Sequence, residues 1–161
     1  MRILYYYWDE FNGEDCMDAM RRLGHEVDVI KFKLHGYKLT DEDDAGFRAL
    51  LTKEEAGKRY YDIVYSFCYY PSISEACMKY DTPYVSWVFD CPHYTLDSHT
   101  IKNPVNRVYV FDRGTYEEMR AKGIETVKYS PLGVNEKRLS GFCKELDAET
   151  DGRIVYLHDV C

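Results

Sequence analysis

Residues 84–99, YVSWVFDCPHYTLDSH, begin as an apolar strand and end in a cluster of reactive side chains. Asp90, Cys91 and His93 follow the run within four positions, and Asp97 and His99 come soon after. A carboxylate or an imidazole beside a substrate hydroxyl is the standard means of removing its proton. Asp90 and His93, placed at a strand end, are therefore candidates for a functional role, the bland alternative for His93 being simple exposure. The same groups, with Asp97 and His99, carry nitrogen and oxygen donors that suit zinc or manganese. Their spacing matches no ligand pattern, so no metal is expected. Cys91 would need a neighbouring base and a depressed pKa to act as a nucleophile, neither of which a sequence shows, and that role is not expected. The bland alternative for Asp90 is a turn or helix cap beside Pro92.

These residues are positioned by the elements before them. The segment 2–8 is apolar on both faces, as a central parallel strand is. In residues 13–23, Cys16, Met17, Met20 and Leu23 fall at helical spacing, and Gly24 suits the position after the helix. A second strand is expected over 25–33. Residues 34–60 are polar and less regular, with a helix at 40–51 capped by Thr40 or Asp41 and acidic in its first turn. A third strand at 62–67 leads to a helix at 71–80, opened by Pro71, with Ser72 and Glu75 at capping-box spacing. The fourth strand, 83–89, is expected to place Val85, Trp87 and Phe89 on one face and Ser86 and Val88 on the other, with Trp87 buried. A strand at 106–111, a helix at 112–123 ended by Gly123, a strand at 125–131 and a helix at 135–146 follow. A last strand is expected at 152–159.

Alternating strands and helices specify an α/β fold, a Rossmann-like three-layer domain with a mainly parallel sheet of about six strands. Right-handed crossovers give the expected order 2-1-3-4-5-6. In such sheets ligands bind outside the carboxyl ends of the strands, where the order reverses. Three loops should open there: Asp9, Glu10, Asn12 and Gly13 after the first strand; Cys68, Tyr69 and Tyr70 after the third; and Asp90 to His99 after the fourth. Tyr69 and Tyr70 could stack on a ligand ring; the alternative is hydrophobic stapling of the start of the helix they precede.

The 161 residues suit one domain with a real core. A net charge of −7 argues against nucleic acid as a partner. No stretch approaches the roughly 20 apolar residues of a membrane span. The six cysteines form no CxxC pair, which fits free thiols in a reduced, cytoplasmic protein and no disulfides. The loop after the first strand is acidic and lacks GxGxxG, so a dinucleotide site of the usual kind is disfavoured. GxxxxGK[ST] and GxSxG are absent too, which argues against a P-loop and an α/β-hydrolase.

Three ordered segments resemble a known family. They are MRILYYYWDE with AMRRLGHEVDVIKF, DIVYSFCYYPSISEACMKYDTPYVSWVFDCPH, and NPVNRVYVFDRGTYEEMRAKGIETVKYSPLGVN. Together they resemble the N-terminal, acceptor-side domain of bacterial GT-B-fold glycosyltransferases, in the family-4-like, spore-maturation-type subgroup. The likeness covers about residues 1–135. Ser86-Trp87 with Asp90, Pro92 and His93, and Phe111-Asp112, carry most of its specificity.

The resemblance implies a hexosyltransferase-type reaction, from a nucleotide-sugar donor to an acceptor hydroxyl, with no cofactor. It implies Asp90 or His93 as base, and Asp9, Glu10, Asn12, Gly13, Tyr69, Tyr70 and Asp112 against the substrate. Relatives carry a His-Asp pair after the fourth strand; here Phe89 stands at the His position and Asp90 keeps the Asp. The acceptor is unknown. The donor would be held mainly by a C-terminal domain absent from this sequence, with residues 136–161 as linker helix and possible start of that domain. The chain is then expected to be a fragment or a stand-alone half that is inactive alone. The rival readings are a non-catalytic module that pairs with a partner or with itself as a homo-oligomer, and a small-molecule-binding flavodoxin-like domain.

Overall fold

The structure is a computed structural model that describes residues 1–32 and 39–150. The chain divides after Pro131 into two units. In the first, β1 (Arg2–Tyr6), α1 (Gly13–Arg22), β2 (Glu26–Ile30) and α2 (Asp41–Leu51) open the chain. Then come β3 (Ile63–Phe67), α3 (Pro71–Lys79), β4 (Tyr84–Val88), β5 (Asn106–Val110), α4 (Arg113–Ala121) and β6 (Val127–Tyr129). A two-residue ribbon, Glu54–Glu55 with Lys58–Arg59, and two short 3-10 turns at Tyr94–Asp97 and His99–Lys102 lie in the connections. The second unit contains α5 (Glu136–Thr150), whose N-terminus is capped by the Asn135 side chain accepting from Arg138 N–H at 3.1 Å. The strand expected at 152–159 lies outside the described residues.

The six strands form one parallel sheet in the order β2-β1-β3-β4-β5-β6, as expected. Helices α2, α3 and α4 bury one face through Phe47, Leu51, Ile73, Cys77 and Met119, packed with Leu4, Val64, Tyr84 and Val108. On the other face α1 packs Met17 against Ile3, Tyr5, Tyr65 and Phe67. This split follows from right-handed crossovers, since only the β1–β2 connection runs away from the later strands. It also corrects the expectation for Trp87. Tyr84, Ser86 and Val88 are buried on the three-helix face, whereas Val85 and Trp87 are only half-buried on the face that carries α1. Gly24 and Gly123 end their helices at φ +81° and +71°, conformations that glycine adopts without strain.

Two local expectations are corrected. Ser72 and Glu75 make no capping box: Tyr70 is the N-cap of α3, no side chain caps it, and Pro71 occupies the first turn, where its missing N–H is harmless. The ribbon at 54–59 lies in the stretch read as irregular. Its turn has positive φ at both Ala56 and Gly57, the geometry of a tight two-residue hairpin.

Candidate functional site

Because every strand of the sheet runs the same way, the loops after β1, β3, β4 and β5 all leave the carboxyl edge. They are tied to one another there. Trp8 donates its indole N–H to the carbonyl of Phe67 at 3.3 Å, which joins the first loop to the end of β3. Tyr69 N–H donates to Nε2 of His93 at 3.3 Å, and Thr95 Oγ1 donates to the Tyr69 carbonyl at 2.7 Å, which joins the β3 loop to the β4 loop. Thr115 Oγ1 lies 3.7 Å from Cys91 Sγ, at the start of α4. The Cys91–Pro92 peptide is cis.

Asp90 is exposed at this edge and His93 is half-buried. Burial lowers the His93 pKa, and the N–H donor at Nε2 requires that nitrogen to be unprotonated. The exposed Asp90 carboxylate is placed to accept a proton, whereas the acceptor nitrogen of His93 is occupied by Tyr69 N–H and would have to release it first. The third member of the cluster is Cys68, at φ +60°, a left-handed conformation uncommon for a residue other than glycine. That backbone turn sends its buried thiol toward Asp90, with Sγ 3.7 Å from Oδ2. Burial, and after it the Asp90 charge, push the Cys68 thiol up to about 12. As a free group it is therefore a protonated thiol and a poor nucleophile.

The loop after β1 is built around Glu10. Its carboxylate is buried and accepts from Tyr5 Oη–H at 2.7 Å and from Trp8 N–H at 3.0 Å. Glu10 therefore shapes the loop from beneath. Gly13 is required by this arrangement: a Cβ there would lie 2.5 Å from Tyr7 Cε2 and 2.6 Å from Glu10 Oε1. Asp9, at φ +67°, points its carboxylate to Lys31 Nζ at 2.6 Å. Asn12 is the N-cap of α1 without making a side-chain cap bond, and its Oδ1 is buried with no protein partner. Asp112 caps α4, accepting from Thr115 N–H at 2.7 Å and Thr115 Oγ1–H at 2.8 Å.

Tyr69 and Tyr70 lie in the core, not on the cleft wall. The Tyr69 hydroxyl meets Thr100 Oγ1 at 2.7 Å and accepts from Asn106 Nδ2 at 3.2 Å. Tyr70 packs edge-on against Tyr6. The open aromatic surface comes instead from Trp8, Phe11 and Phe89. Trp8 and Phe11 are 38% and 76% exposed. The Trp8 and Phe89 rings are nearly parallel, 12° apart in plane with centroids at 6.3 Å, and Phe11 meets Phe89 edge-on at 5.4 Å. Sequence reasoning missed this shelf. Its signal was two aromatics, Trp8 and Phe11, among the acidic residues just after β1.

A separate hollow of about 550 Å³ opens at the amino edge, lined by Lys102, Pro104, Arg107, Glu125 and Lys128 among others. Arg107 there donates to the carbonyls of Pro104 and Asn106 at 2.8 and 2.6 Å. The hollow lies at the opposite edge from the strand ends outside which ligands bind in folds of this type. Among the described residues no helix is long and apolar enough to cross a membrane, and Cys16, Cys68, Cys77, Cys91 and Cys143 are free. No protein-family model matches the chain, and no curated protein matches it in sequence.

Proposed function

We propose that the first unit is the acceptor-side half of a glycosyltransferase built from two Rossmann-like halves. The observation that carries this is the placement of Asp90 and His93 on one carboxyl edge, beside the aromatic shelf of Trp8 and Phe89. Aromatic faces bury the apolar face of a hydroxylated ring, while nearby polar groups take its hydroxyls. An acceptor hydroxyl so held would give its proton to Asp90 or His93 as its oxygen attacks the anomeric carbon of the donor. The nucleoside diphosphate would leave with the electrons of the broken bond, in a donor-binding half outside this sequence. The same assignment is what the sequence resemblance read over residues 1–135 implies.

The test is nucleoside-diphosphate release by the full-length product of the gene, given a panel of nucleotide-sugars with a cell extract as acceptor source. Transfer is expected. Asp90→Asn should then lower kcat about 10²–10⁴-fold, with little change in KM or melting temperature. A full-length product without a second nucleotide-binding half, or without turnover of any nucleotide-sugar, overturns the proposal in favour of a non-catalytic binding module. Lost stability with intact specific activity would make Asp90 a structural cap.

A further inference from the structure

We propose that Cys68, Asp90 and His93 form a three-ligand site for a zinc-type divalent cation at the mouth of the cleft. Cys68 Sγ, a carboxylate oxygen of Asp90 and a ring nitrogen of His93 all lie within 4.8 Å of one another. Ligand lengths of about 2.0–2.3 Å put tetrahedral donors about 3.3–3.8 Å apart. Sγ and the Asp90 oxygen, at 3.7 Å, already stand at that spacing. Within the 4.8 Å limit, the imidazole has at most about 1.0–1.5 Å to close on that scale. Coordination through Nε2 would displace its hydrogen bond from Tyr69 N–H, which is long at 3.3 Å.

The donor set names the ion. One sulfur, one nitrogen and one oxygen suit zinc or cobalt; magnesium and calcium take oxygen donors. Three protein ligands leave a fourth position, the pattern of sites that bind a water or substrate oxygen. The open position would face the cleft, because Cys68 is buried behind the group and Asp90 is exposed in front of it. The φ of +60° at Cys68 has a use here: it turns the thiol toward the β4 loop. The expectation of no metal rests on the spacing of Asp90, His93, Asp97 and His99; Cys68, 22 residues before Asp90, is not among those donors. The inference stands on these three residues, and it bears on the proposed transfer: with the ion bound His93 is a ligand and no longer a base, so the acceptor proton would go to the unligated oxygen of Asp90 or to an ion-bound hydroxide.

The experiment is titration of the reduced, chelator-treated chain with cobalt(II) alone. One ion per chain is expected, with a near-ultraviolet thiolate-to-cobalt band and the visible bands of a four-coordinate ion; zinc should displace it. Cys68→Ser should abolish the thiolate band, and Cys91→Ser should leave it intact. Asp90→Asn and His93→Gln should each weaken binding by about tenfold or more. Asp90→Asn changes an exposed side chain, so it remains informative if Cys68→Ser does not fold. The absence of a thiolate band, or a band that survives Cys68→Ser, overturns the proposal. Cobalt binding without sugar transfer would defeat only the proposed function. Transfer in a protein that shows no such band would defeat only the metal site.

Discussion

Gly13 and Gly46 show how one substitution can have opposite signs at two places in this chain. At Gly13 a methyl group would meet Tyr7 and Glu10, and Glu10 cannot swing aside because Tyr5 and Trp8 hold its carboxylate. Gly13→Ala should destabilise the fold by about 1–3 kcal/mol, the usual result of overpacking. Gly46 is exposed within α2, and a Cβ there would meet nothing within 4 Å. Gly46→Ala should stabilise by about 0.4–1 kcal/mol, by restricting the unfolded chain. Urea denaturation of the two variants checks both signs. Equal effects would mean that the Tyr7–Glu10 roof over α1 is looser than described. The same roof explains why Glu10 and Gly13 shape the loop after β1 from beneath while Trp8 and Phe11 are exposed on it.

At the scale of elements, the start of α4 carries a pH dependence. The two hydrogen bonds from Thr115, that from its backbone N–H first, hold the Asp112 carboxyl below its usual range. A group whose folded pKa lies below its unfolded one stabilises fully above the unfolded value, and that stability is lost as pH falls through the folded value. Asp112→Asn keeps an oxygen that can cap Thr115 but removes the charge. Wild type should therefore be the more stable of the two at neutral pH, with the gap closing toward about pH 3, where carboxylates become protonated. Paired urea midpoints across that range measure it. A gap that does not change with pH would show that the Asp112 charge adds nothing to the cap. Capping by Thr40, which accepts from Asp43 N–H at 3.1 Å, gives α2 a start of the same kind without a charge at the cap.

Over the molecule as a whole, burial orders the five thiols among the described residues. Cys91 and Cys143 are exposed, Cys16 is half-buried, and Cys68 and Cys77 are buried. Burial raises the pKa of Cys16, Cys68 and Cys77, which reduces their thiolate fractions further. Timed alkylation of the reduced protein, mapped by peptide mass, should therefore label Cys91 and Cys143 first and Cys16 next. Cys68 and Cys77 should react only at the rate at which the sheet opens. Early labelling of Cys77 would contradict the packing of α3 on the sheet, since Cys77 is fully buried in that layer.

The sequence by itself determined the alternation of strands and helices, the sheet order, the glycine stops at Gly24 and Gly123, and the arrival of Asp90 and His93 at a strand's carboxyl end. All of these depend on local periodicity, turn chemistry and the handedness of crossovers, which a linear pattern carries. The partnership of Cys68 with Asp90, the burial of Glu10, the turning of Tyr69 and Tyr70 into the core, and the shelf of Trp8, Phe11 and Phe89 were decided only by the tertiary structure. Each depends on strand register and on a few loop dihedrals, such as the positive φ of Asp9 and Cys68. Those dihedrals fix side-chain directions across neighbouring strands, and no spacing along the chain encodes them. For the same reason Trp87 was placed on the correct face of β4 but not at the correct depth. Alternation sets the face, whereas depth depends on how many helices cover it, and α1 is the helix that packs on that face among the described residues.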